Sequence, residues 1–198
     1  MTRDEAKECL ITAGLAGDED FSLLEAAVCC ALHDHPLRDP APVHALADEA
    51  ATRLFARLGE DRPEDIVAEV MAFDLRLNGD LLTHDDSANT DIIAVAERRR
   101  GLSGALSIFY LHAAAKVGLV VRPVDFPNHA LLRIETTEGP IAMDPFAQGR
   151  VVMPSELRER ALRAGLTPHV ADRLDVLMAP ISPRQALIRL QSLQFSRA

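Results

Sequence analysis

The stretch from Gly101 to Gly118, GLSGALSIFYLHAAAKVG, constrains the fold more than any other part of the chain. It predicts a helix that opens on the first glycine and closes on the last. The runs behind it, LVVRPVD, HALLRI and PIAMD, are rich in β-branched and apolar residues and predict strands. Ala130, Leu132 and Ile134 alternate with His129, Leu131 and Arg133, so the two faces of the middle strand are distinct. Turns at Phe126-Pro127-Asn128 and Glu138-Gly139-Pro140 join the strands, and Gln148-Gly149 turns into a further strand, RVVM. Leu106, Phe109, Leu111, Ala114 and Val117 must then bury themselves against Val121, Leu132 and Ile141. The expected fold is α+β: one central helix packed on a small antiparallel sheet.

Helical patterns lie on both sides of this core. Leu23, Leu24, Ala27, Val28, Ala31 and Leu32 recur at three- and four-residue steps, with Asp20 or Ser22 as the cap. Further runs cover Val43 to Leu58 and Pro63 to about Leu75, and Asn78-Gly79-Asp80 reads as a turn. The polar loop THDDSANT leads into a short helix, DIIAVAERRR, for which Asn89 or Thr90 is the expected cap. Helices are expected at Pro154 to Ala164, His169 to Met178 and Pro183 to Gln194. Three parts result: an acidic helical part at 1–77, the core at 78–153 and a helical tail at 154–198, packed as one unit.

Charge and cysteine usage narrow the function classes. Residues 1–90 carry 20 acids and 7 bases, while the whole chain has net charge −9, which disfavours nonspecific nucleic-acid or anionic-membrane binding. No Trp and a single Tyr leave little for aromatic stacking on bases. Cys9, Cys29 and Cys30 suit neither a disulfide framework nor a four-ligand zinc site, so they read as buried thiols and the default compartment is the cytoplasm. His84, Asp85 and Asp86 form a metal corner without a second ligand cluster, so no metal and no cofactor is expected.

Chemistry concentrates in Ser103, His129 and Asp144. Ser103 falls in the first turn of the central helix, where unpaired backbone N–H groups and the helix dipole stabilise an anion. His129 opens a strand from which its ring is expected to reach that helix start. Asp144 precedes Pro145, which biases it to an extended conformation suited to orienting the imidazole. Ser107 lies one turn beyond Ser103. Asn128 adjoins His129 and is also a favoured turn residue. The run Arg98-Arg99-Arg100 offers a carboxylate or phosphate clamp, or simply a solvated helix end.

Gly101, Ser103, Gly118, His129-Ala130 and Asp144-Pro145 together resemble the transglutaminase-like core, a relative of the papain-type cysteine peptidases. The likeness is sharper to bacterial SirB-type proteins with such a core. It rests on NTDIIAVAERRRGLSGALSIFYLHAAAKVGL, FPNHALLRI and DPFAQGRVV, with LNGDLLTHDDSAN, LLEAAVCCALHDHP and PISPRQALIRLQSL around them. The resemblance implies a site at Ser103, His129 and Asp144, with Gly101, Asn128, Ser107 and Asn89 around the cleft. Where the family has its cysteine nucleophile this chain has Ser103, and all three cysteines precede residue 31. A catalytically degenerate module holding a protein or peptide in the cleft is therefore expected. The alternative is a serine-dependent hydrolase or acyltransferase acting on an amide or ester.

Overall fold

The computed structural model describes residues 1–195. Four helical segments come first: α1 (Arg3–Leu15), α2 (Leu23–Asp34), α3 (Ala41–Arg57) and α4 (Pro63–Ala68), the last continuing into a wider turn over Glu69–Asp74. Two short strands, β1 (Asn78–Gly79) and β2 (Arg100–Gly101), flank α5 (Ile92–Arg98), and the central helix α6 (Ser103–Lys116) follows. The strands β3 (Val121–Phe126), β4 (His129–Thr136), β5 (Gly139–Asp144) and β6 (Arg150–Val152) come next. The tail holds α7 (Pro154–Arg163), α8 (Pro168–Ala171), α9 (Leu174–Leu177) and α10 (Pro183–Phe195), so the single helix expected over His169 to Met178 is two short ones. The last three residues of the tail lie outside the described residues.

The strands β3 to β6 form an antiparallel sheet in sequence order. Phe126 pairs with His129, which leaves Pro127-Asn128 as a two-residue turn. Asn128 has φ 58°, and proline followed by a left-handed residue fits a type II turn. This turn sets where the His129 side chain enters the site. The fold is thus α+β with a small antiparallel sheet, as the residue pattern implies.

Helix α6 sits in the centre of the main core. Leu106, Phe109, Tyr110 and Ala113 are buried against Leu132, Ile134 and Met143 of the sheet and against Leu46, Ala50 and Leu54 of α3. Full burial of each large apolar side chain contributes roughly 1.5–3 kcal/mol, so the position of α6 is strongly specified. Leu111, Val117 and Val121 pack only partly buried at its edge. A second core, with Val124, Leu131, Ala142, Val152, Leu157 and Ala161, fills the other face of the sheet.

Three further sequence expectations are corrected. Asn78-Gly79 is no free turn: it pairs in parallel with Arg100-Gly101, a contact across 22 residues that local turn propensity does not reveal. The cap of α5 is Asp91, whose Oδ1 accepts from the Ile93 and Ala94 amides at 2.9 Å each, rather than Asn89 or Thr90. Cys9 and Cys29 are not thiols but a disulfide that ties α1 to α2, with only Cys30 free. Their spacing says nothing of this pairing, because the proximity comes from packing two helices side by side. Restricting a loop of this size in the unfolded chain contributes about 3 kcal/mol. The bond also removes the cysteine argument for a reducing compartment. Burial, with the Asp34 charge, pushes the Cys30 thiol up to about 11, so it is unreactive at neutral pH. No described helix is long and apolar enough to cross a membrane.

Candidate functional site in the cleft at the start of α6

The start of α6 is held from behind by a polar loop. Leu102 is its cap residue, and the Leu102 amide donates to the Asn89 carbonyl at 2.9 Å. Asn89 is fully buried; its amide donates to the Thr83 carbonyl and its Oδ1 accepts from Arg98 Nη2 at 2.9 Å. Arg98 also binds Asp80 at 2.7 Å. The Thr83 hydroxyl and the Thr83 and Leu82 amides bond Asp80 as well, and with Arg98 they hold its carboxyl down to about 2 despite burial. Arg98 is therefore a structural tie of the loop rather than a free clamp or a solvated helix end. Gly101 serves the same arrangement: a Cβ there would stand 2.6 Å from Val95 Cγ2 and 3.0 Å from the Asn89 carbonyl.

Ser103, His129 and Asp144 converge from α6, β4 and β5. His129 Nε2 lies 2.8 Å from Asp144 Oδ1. With the carboxylate ionised, Nε2 carries the proton and Nδ1 is left as the basic nitrogen. The Phe146 ring meets His129 edge-on at 6.0 Å and His84 at 5.9 Å, which limits how the imidazole turns. The Ser103 hydroxyl does not complete a triad. Its oxygen accepts from the Ala130 amide at 3.1 Å, and among the described residues no hydrogen bond joins it to His129. The Ser107 hydroxyl donates to the Ser103 carbonyl at 2.7 Å, a bond within the helix.

Asp144 has a partner that the sequence does not advertise. Its Oδ2 accepts from Arg160 Nη1 at 2.9 Å, while the Phe146 and Ala147 amides donate to Oδ1 at 3.1 and 3.3 Å. Burial opposes ionisation of this carboxyl, but His129 and Arg160 together outweigh it and hold it below the ordinary carboxylate range. Arg160 is in turn fixed by Glu156 at 2.7 Å, and Glu156 also binds Arg150 at 2.6 and 2.7 Å. Bonds from Arg150 first, then Arg160, lower Glu156 to about 2. The four-residue spacing of Glu156 and Arg160 is readable as a helix pair, but nothing in it points to Asp144.

Ser103, Ser107, Asn128 and His129 line one cleft of about 420 Å³, with Phe126, Leu131 and Phe146 among its apolar walls. Gly101 and Asn89 do not line it; they position its floor. Helix α10 forms the remaining side. Leu190 Cδ1 would lie 3.5 Å from a Cβ on Gly104, and Arg189 crosses to Asp125 at 2.7 Å. Arg184 secures the helix by donating to the Ala13 carbonyl at 2.8 Å and to that of Ala16, and by lying 4.4 Å over the Phe21 ring. Among the described residues no group of three or more His, Cys, Asp or Glu is placed to hold a metal.

Sequence comparison places the chain among known proteins. A UPF0162 protein of Xylella fastidiosa is 29% identical over 183 residues, covering 87% of this chain and 63% of the relative. The chain thus spans less than two thirds of that relative's length. F-box only protein 21 of mouse is 29% identical over 100 residues, covering 46% of this chain and 16% of that protein; its human counterpart matches to the same extent. No solved structure matches the chain. The transglutaminase-like superfamily matches residues 41–192, a span that runs from α3 through the whole site into α10. With more than half of its length in that match, the chain belongs to the transglutaminase-like superfamily.

Proposed function

We propose that the chain is a SirB-type, catalytically degenerate member of this superfamily, in which the cleft beside α6 holds a peptide segment of a partner protein. The observation that carries this reading is the partner of the Ser103 hydroxyl: its oxygen accepts from the Ala130 amide, and no hydrogen bond joins it to His129. A serine needs a base in contact to become a nucleophile, because its hydroxyl is far less acidic than a thiol. The apolar walls at Phe126, Leu131, Phe146 and Leu190 suit an apolar side chain of the bound segment.

The second reading is a serine-dependent hydrolase or acyltransferase. It is favoured by the His129–Asp144 pair, in which the carboxylate orients the imidazole of a histidine lining the same cleft as Ser103. Labelling with a serine-directed fluorophosphonate distinguishes the two. No label at Ser103 between mildly acid and alkaline pH is expected. Labelling that disappears in Ser103→Ala but persists in Ser107→Ala would overturn the binding-module reading in favour of the enzyme.

A further inference from the structure

The Cys9–Cys29 disulfide closes a ring of chain that holds the far end of the molecule as well as α1. Among the described residues, every partner of the Arg184 guanidinium lies inside that ring. Arg184 donates to the carbonyls of Ala13 at 2.8 Å, Gly14 at 3.2 Å and Ala16, pairs with Asp18 at 3.1 Å and lies over the Phe21 ring. The last turn of α1 has no basic residue of its own, so Arg184 supplies the cation that its free carbonyls and dipole favour.

Both partners in this contact have little else to hold them. Of α1 only Ala6 is buried, and a helix of 13 residues is marginal in water without packing. Arg3 adds an exposed bond to the His33 carbonyl. Among the described residues of α10 only Leu190 is buried. Two further polar ties of α10, Arg189 to Asp125 and Gln194 to Asp34, are exposed and contribute little. Just before α10, the Ile181 amide donates to the Pro123 carbonyl of β3 at 2.9 Å, which gives a released helix a fixed point to pivot on. The helix lines the cleft through Ala186, Arg189, Leu190 and Leu193.

We propose that Cys9–Cys29 is a redox latch on the cleft: a dithiol reductant that opens it loosens α1, Arg184 loses its carbonyl partners, and α10 swings away from Ser103 and His129. In that step the S–S bond breaks and Cys9 and Cys29 each end as a thiol. The electrons and protons come from the reductant, which is oxidised to its own disulfide. Cys30, whose thiol burial keeps protonated, is not the attacking group. The latch governs access to the cleft whatever the cleft holds.

The test is hydrogen exchange of the air-oxidised full chain before and after reduction with dithiothreitol, read segment by segment by mass spectrometry. Reduction should speed exchange in α10 and in residues 10–21 by about tenfold or more, while α6 and β4 keep their protection. In the oxidised chain Arg184→Met should speed exchange in α10 to the same extent, and reducing that variant should add nothing further there. Unchanged exchange in α10 on reduction, or equal acceleration in α6 and β4, would overturn the proposal. So would full protection of α10 in oxidised Arg184→Met, a further gain in α10 when that variant is reduced, or failure of Cys9 and Cys29 to pair in the air-oxidised chain.

Discussion

Replacing Asp144 with alanine is expected to lower the free energy of unfolding by about 3 kcal/mol, read from urea denaturation with an unchanged slope. The carboxylate is almost fully buried and accepts from His129, Arg160 and two backbone amides at once. Removing it leaves a guanidinium in a part-buried setting with only Glu156 as partner and strips the Phe146 amide of its acceptor, while the Ala147 amide keeps the Asp144 backbone carbonyl at 3.2 Å. The effect should depend on pH in a defined direction. A carboxyl held below its ordinary value of 3.8 contributes its full stability above that value and loses it as acid carries the pH down through the lower folded value. As the pH falls below about 4 the wild-type advantage over Asp144→Ala should therefore shrink. Asp80 and Glu156, lowered in the same way, make both proteins acid-sensitive, so the difference between the two curves is the readout.

The second large effect is expected at Gly79. A Cβ there would stand 2.5 Å from Phe146 Cγ and 2.5 Å from the Phe146 carbonyl oxygen, to which the Gly79 amide already donates at 3.1 Å. Backbone on one side and a ring packed between two histidines on the other leave little room to yield. Gly79→Ala should cost about 2–3 kcal/mol of stability, at the upper end for overpacking by one methyl group. It should also shift the ring resonances of His129 and His84, which both rest edge-on against Phe146. Unchanged imidazole signals would mean that the Phe146 contact does not fix the histidine. The glycine is required here for space and not for an unusual φ, as Gly79 is absent from the positive-φ positions.

The degree to which the site is legible in the chain differs from residue to residue. The helix over Ser103–Lys116 and the three strands after it follow from periodicity and bounding glycines, which act within a few residues of one another. The convergence of His129 with Asp144 follows from the same pattern once the two strands are neighbours. Arg160 does not follow, because its charge pair with Glu156 already satisfies every local rule, and its bond to Asp144 exists only after α7 folds onto the sheet. Asn89 has the composition of a cap yet serves as a buried tie between the loop and α6, while the cap is two residues later at Asp91.

By itself, the sequence determined the α+β class and the central helix with the strands behind it, and it singled out the candidate site, since these rest on hydrophobic period, turn chemistry and the spacing from Gly101 to Asp144. Only the tertiary structure decided the Cys9–Cys29 bond, the bond from Arg160 to Asp144, the seating of α10 beside the cleft and the turning of the Ser103 hydroxyl to the Ala130 amide. Each of these joins residues brought together by packing rather than by neighbourhood in the chain. The choice among such contacts depends on ångström-scale distances between elements, which local propensity does not encode.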